Sequence, residues 1–232
     1  MGNDSLVILP PLQACFDRGR VVLTRKFIEG ASAFAQRWQG KVRVLLKTAD
    51  APTDSLDNVE AAPSELDFSV EPARYGDAGA LGEQLRGAAV VLANLDHSQS
   101  GVARLCAAVG VPCVYISENS LATRRQMLHV STRHWLVRFR RNLWTTRLEG
   151  RLKAAVGMAA GVQCNGTPTY EAYRPLNRNA RLFFDSRVTA NRLVSAEALD
   201  RRIAELIAGG PLRRAFSGRL VAIPQSIEAA VN

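Results

Sequence analysis

Residues 88–119 read AAVVLANLDHSQSGVARLCAAVGVPCVYISEN, and they constrain the chain more than any other stretch. The run 90–95, apolar but for Asn94, has the length of a strand buried on both faces, and it stops at Asp96 and His97. Across 98–109, Val102, Leu105, Ala108 and Val109 recur at helical spacing after a Ser/Gln opening, and Gly110 closes the helix. A second buried run, 112–116, ends in Ser117, Glu118 and Asn119. Strand-helix-strand units with short connectors are almost always right-handed and parallel. Both polar clusters therefore belong at the carboxyl edge of one sheet, where ligands of open α/β folds bind. The rest of the chain repeats this unit, which predicts an α/β protein with a parallel sheet covered on both faces.

Two hundred and thirty-two residues suffice for one sizeable core and fall short of two full α/β domains. An apolar content of 47% with 22% charged residues excludes a disordered chain. The 30 Lys and Arg against 21 Asp and Glu leave a formal charge of +9, which suits an anionic partner: phosphates, nucleic acid or an acidic membrane surface. There is no run of 18 apolar residues, and the opening MGNDSLVILPPLQ lacks a basic segment ahead of its apolar stretch, so a cytoplasmic protein is expected. Cys15, Cys106, Cys113 and Cys164 show no CxxC pairing, and buried free thiols are expected of them.

Taken in order, 6–9 is a first strand ended by Pro10 and Pro11. The loop QACFDRGR carries Arg18, Gly19 and Arg20 ahead of a helical pattern through Val22, Leu23, Phe27, Ile28, Ala31, Phe34, Ala35 and Trp38. A basic, glycine-containing loop opening onto a helix is either an anion site or a turn with solvated arginines. Strand 42–46 follows, then a long surface connection over 47–65, an alternating strand at 66–70 and a short helix at 80–85. From 120 to 158 the chain is helical in propensity and rich in arginine. Leu136, Phe139 and Leu143 share one face while Arg138 and Arg141 lie opposite, with Arg140 nearer the boundary. The stripe then moves to Trp144, Leu148, Leu152 and Ala155, which implies a bend near Trp144 or contact with two surfaces. The arginines of 133–153 read as a solvated face of a packed helix, or as a peripheral contact with anionic membrane. A strand at 161–164 precedes Thr167, read as an N-cap before Pro168. A strand at 181–184, an amphipathic helix at 195–207 stopped by Gly209 and Gly210, and a strand at 212–216 leading into Gly218 and Arg219 complete the reading.

The order and spacing of VVLTRKFIEGASAFAQRW, VVLANLDHSQSG, VPCVYISEN, the arginine-bearing helix and RLFFDSR followed by LRRAFSGRL resemble the group 1, or family 4, retaining glycosyltransferases of the GT-B fold. That resemblance covers most of the chain. It implies a Rossmann-like, doubly wound acceptor domain over 1–210 and a stub of the donor-binding domain over 211–232. It also implies hexosyl transfer from a nucleotide sugar to a glycan or lipid-linked acceptor, without cofactor or metal. By the same resemblance, His97 with Asp96 would stand near the reacting sugar, and Glu118, Asn119 and Arg124, with Arg18, Gly19 and Arg20, would line the acceptor pocket. Gly218 and Arg219 would face the donor diphosphate.

The pattern departs from the family after FSGRL. No lysine occurs in VAIPQSIEAAVN, and Pro224 stands about where one would fall. Neutralising a diphosphate takes paired cationic donors in a fixed geometry. The expectation is therefore an acceptor half, inactive alone, or a non-catalytic acceptor-binding subunit that pairs with a separate donor-domain chain. His97 has the chemistry to orient or deprotonate an acceptor hydroxyl, and is otherwise a loop histidine. A nucleic-acid binder rests on charge alone, since neither a helix-turn-helix nor a zinc pattern is present.

Overall fold

Residues 4–52, 57–185 and 193–211 are described by the computed structural model. In chain order the strands are β1 (Ser5–Leu9), β2 (Gln13–Asp17), β3 (Arg20–Thr24), β4 (Val42–Thr48), β5 (Asn58–Ala61), β6 (Ser69–Pro72), β7 (Ala88–Asn94), β8 (Cys113–Ser117), β9 (Gly161–Asn165) and β10 (Ala180–Phe183). The helices are α1 (Arg25–Ala35), α2 (Ala78–Leu85), α3 (Val102–Ala108), α4 (Leu121–Ser131), α5 (Trp135–Met158), α6 (Thr167–Tyr173) and α7 (Ala196–Ile207).

Strand β1 shows why the fold has three layers. All of Leu6, Val7, Ile8 and Leu9 are buried, and successive side chains of a strand point to opposite faces. Val7 and Leu9 join Leu45, Val91, Tyr115 and Val162 in one core cluster, while Leu6 and Ile8 join Val42, Val44, Leu46 and Leu92 in another. A strand dry on both sides needs cover on both. Helices α2, α3, α5 and α6 pack on the first face through Leu85, Cys106, Leu152 and Tyr173. On the other face the cover comes from α1, through Phe27, Ile28 and Ala31, and from Phe68.

The sheet has ten strands: seven run parallel in the order β6-β4-β1-β7-β8-β9-β10, and β2, itself parallel to β4, joins the antiparallel β2-β3-β5 ribbon to them. The chain starts in the middle at β1, steps outward to β6, returns through α2 and steps outward again from β7 to β10. This is the Rossmann-like, doubly wound arrangement expected from the sequence, and its direction reverses between β1 and β7. Because the crossovers from β7 onward all place helices on one face, Val114 and Ile116 on the opposite face are only partly buried.

Several expectations are corrected. Residues 20–24 are strand, not helix: Val21 and Leu23 are buried with the alternation of a β-ribbon, and α1 begins only after Thr24, whose hydroxyl caps it by accepting from Phe27 N at 3.2 Å. Arg18 and Gly19 thus form the tip of the β2–β3 hairpin, both with positive φ (45° and 77°), and open onto no helix N-terminus. The connection 47–65 contains β5, antiparallel to β3, and a single 3-10 turn at Pro63–Glu65. The strand expected at 66–70 begins later, at Ser69, with Phe68 turned into the core. In 120–158 the helix is broken at 132–134 and runs unbroken past Trp144. Gly166, at φ 80°, takes the N-cap position of α6, and Thr167 is its first helical residue. The strand expected at 212–216, Gly218, Arg219 and all of the 211–232 segment but its first residue lie outside the described residues.

Candidate functional site at the carboxyl edge

At the reversal point a cleft of about 510 Å³ opens between α1 and the sheet. Its floor is the face left partly uncovered: Ile8 of β1, Leu92 and Asn94 of β7, Ile116 of β8 and Gln163 of β9. Phe27, Gly30, Ala31 and Phe34 of α1 make one wall, and Pro10, Pro11 and Leu12 close the end beyond β1. Two successive prolines end the strand there because they cannot donate to the ladder. The walls are therefore mostly apolar, with the polar groups gathered along one rim.

That rim is a chain of hydrogen bonds between the tips of parallel strands. Asn165 Nδ2, at the end of β9, donates to Glu118 Oε2, just past β8, at 2.9 Å. The Asn165 carboxamide oxygen accepts from the backbone N–H of Asp185, beyond β10, at 3.2 Å. Lys26 Nζ, from the first turn of α1, reaches Asp185 Oδ2 at 3.4 Å. Glu118, Lys26 and Asp185 are exposed and line the cleft, so this rim offers two carboxylates and an ammonium to a ligand.

The rim rests on a buried brace. Gln99, 2% exposed, accepts from Asn94 N at 2.7 Å and donates to Pro10 O at 3.3 Å and Tyr75 Oη at 3.1 Å. The Tyr115 hydroxyl donates to Gln99 O at 2.9 Å and accepts from Ala103 N at 3.0 Å. Burial, with the Asp96 carboxylate nearby, raises the pKa of the Tyr75 hydroxyl well above the ordinary tyrosine value. One amide side chain thus ties the ends of β1 and β7 together at the point where the cleft opens.

His97 and Glu118 follow neighbouring parallel strands and emerge at the same edge. Of the residues singled out in the sequence, Glu118 lines the cleft. The Asp96 carboxylate is taken up by its own turn, accepting from Ser98 N and Ser98 Oγ at 2.7 Å, from Gln99 N at 3.0 Å and from Asn94 Nδ2 at 2.9 Å. His97 is exposed outside the cleft lining, its ring edge-on to Trp144 with centroids 6.0 Å apart. Arg124 points inward, pairing with the buried carboxylate of Glu149, and its other terminal nitrogen donates to the Asn119 carbonyl at 2.6 Å. The Tyr173 hydroxyl, at 3.5 Å, shares Glu149. Arg124 therefore secures α4 to α5, and the Asn119 carbonyl is taken up at the start of α4; neither residue is in the cleft lining. Arg18, Gly19 and Arg20 also stand outside the cleft lining, and Arg20 is paired with Glu60 at 2.8 Å and Glu65 at 3.5 Å.

Lys26, Asn165 and Asp185 were missed by sequence reasoning. Asn165, the last residue of β9, and Asp185, two residues past β10, are polar side chains at strand ends, as Glu118 is. Lys26 was hidden by the misread start of α1.

Among the described residues no group of three His, Cys, Asp or Glu is placed to hold a metal ion, and no helix is long and apolar enough to cross a membrane. Cys106, Cys113 and Cys164 are buried free thiols, as expected, and Cys15 is half-buried. Burial pushes the Cys164 thiol up to about 11.

The fold defines an α/β protein of the Rossmann-like type, with a cleft at its topological switch point. No protein-family model matches the chain, and no curated protein matches it in sequence. Among solved structures it is similar to Phytolacca americana apo UGT2, with 12% identity and a TM-score of 0.47 over 96% of this chain and 67% of that one. A UDP-glucosyltransferase from Polygonum tinctorium aligns with 12% identity and a TM-score of 0.46, over 84% of this chain and 55% of that one. For a UGT transferase from Siraitia grosvenorii in complex with UDP the identity is 11% and the TM-score 0.46, over 89% and 56%. The chain thus spans between 55% and 67% of the length of these structures.

Proposed function

We propose that this chain is the acceptor-binding half of a retaining, family 4-type glycosyltransferase, and that its acceptor carries an apolar body. The observation that carries the reading is the cleft: a mostly apolar groove at the β1/β7 reversal, edged by Glu118, Lys26 and Asp185. An apolar groove with a few polar groups on one rim suits a molecule that is greasy along most of its length and hydroxylated at one end, as a lipid-linked sugar is. Glu118, held by Asn165, would accept a hydrogen bond from the acceptor hydroxyl and aim it outward over the rim. His97, exposed on the same edge, would meet the sugar being transferred. The leaving diphosphate needs cationic donors beyond those on this rim, whose ammonium is already engaged with Asp185. The chain alone is therefore expected to give no turnover with nucleotide sugars.

Calorimetric titration of the 232-residue chain with an octyl glycoside tests the reading. Binding should be measurable and should weaken by about tenfold in F34D, a change at a partly exposed wall residue that adds a charge to an apolar groove. Nucleotide sugar should not compete. Absence of octyl glycoside binding, or its displacement by a nucleotide sugar, would overturn the assignment.

A further inference from the structure

Helix α5 is longer than the layer it packs on. Its 24 residues span roughly 36 Å, whereas the five residues of β9 span roughly 17 Å. The helix ends just before β9 at the amino edge, so its first half extends past the carboxyl edge. Burial follows that geometry: Thr145, Leu148, Glu149, Leu152, Ala155 and Val156 are buried, and nothing in 135–144 is. Helix α4, which packs against α5, has no buried residue either. Together they form a helical hairpin standing clear of the sheet.

Its outward surface is apolar. At 100° per residue, Trp135, Leu136, Phe139 and Leu143 fall within one third of the circumference, on the side opposite the buried face. Their exposures are 65%, 52%, 67% and 44%. Arg140, Arg147 and Arg151 line the border of this stripe. Residues 121–158 hold nine Arg and Lys against one acidic residue, Glu149, a surplus of eight out of the chain's nine. Glu149 is itself buried against Arg124. An apolar stripe with Trp and Phe, edged by arginines, is the pattern of a helix lying in a bilayer interface, with rings among the acyl chains and guanidinium groups on lipid phosphates. A second protein copy would have to bury this charge against itself, since the same surface is basic on both.

We infer that the α4–α5 hairpin seats the protein on an anionic lipid bilayer, with Trp135, Leu136, Phe139 and Leu143 inserted and Arg140, Arg147 and Arg151 on the headgroups. The surface is separate from the cleft, so this inference stands or falls independently of the proposed function.

Flotation of the 232-residue chain with vesicles of phosphatidylcholine, alone or mixed with phosphatidylglycerol, tests it without any acceptor. The expected result is binding to the mixed vesicles at least about tenfold stronger than to the neutral ones, with a blue shift in tryptophan emission that W135F reduces. F139S/L143S should lower binding to mixed vesicles by about tenfold or more, and R140Q/R147Q/R151Q should bring it down to the neutral level. All of these residues are exposed, and unchanged thermal unfolding confirms that the variants fold. No binding to mixed vesicles, equal binding to both compositions, or a dimer that F139S/L143S dissociates without any vesicle binding would overturn the inference. So would short DNA or RNA that binds at physiological salt while the vesicles do not.

Discussion

The two halves of α5 share one helix and one composition rich in Leu and Arg, yet the structure uses them oppositely. Over 145–156 the apolar side chains face the sheet, and the one acidic group, Glu149, is enclosed between Arg124 and Tyr173. Over 135–144 Trp135, Leu136, Phe139 and Leu143 face away. The difference lies in what each half stands over: the inner half packs into the core on the first face of the sheet, and the outer half has passed the sheet's carboxyl edge. Hydrophobicity alone did not decide burial. Position along the helix relative to the sheet did.

Breaking the inner half should have the largest effect. E149Q leaves the Arg124 guanidinium partly buried without its counter-charge, and the expected loss is about 3–5 kcal/mol in chemical denaturation. L152A, at a fully buried position, should cost about 2–5 kcal/mol by the same measurement. A smaller effect is expected at the brace beneath the cleft: Q99A removes the partner of three polar groups at the carboxyl edge and should cost about 1–3 kcal/mol. The outer half should be nearly silent, with F139S changing stability by no more than about 0.5 kcal/mol. If F139S destabilised the chain as much as L152A, the two halves would not differ as described.

Alkaline pH offers a further contrast. The Cys164 thiol ionises near 11 in the folded chain against 9.0 for a free thiol, because burial disfavours the thiolate. The folded chain thus keeps a proton that the unfolded chain releases, so its stabilising contribution is whole below about pH 9 and declines as pH rises toward about 11. Urea titrations across that window should show the decline, and C164A should lessen it without abolishing it, because Cys113 is also held protonated in the folded chain.

The sheet was legible in the sequence because parallel strands buried on both faces leave unbroken apolar runs, and 88–93 and 112–116 are such runs. The β2–β3 hairpin was not. Val22, Leu23 and Phe27 happen to satisfy helical spacing across a strand and the helix that follows it, and only the Arg18–Gly19 tip marked the turn. Glu118 was legible as the first ionisable residue past a strand. Its partners Asn165 and Asp185 also stand at strand ends, but they come together with it only through the β8-β9-β10 order, which periodicity does not specify. Arg124 was misread for a related reason. Its guanidinium turns inward to a glutamate 25 positions away, a pairing that depends on how α4 folds back on α5.

The cleft beside α1 is the proposed acceptor groove. Hydrogen–deuterium exchange of the whole chain, with and without an octyl glycoside, tests this directly. Protection should rise around Leu9–Leu12, Phe27–Phe34 and Asn94, and at the Glu118 rim. Protection confined to α4 and α5, or unchanged exchange at the cleft under saturating glycoside, would contradict it.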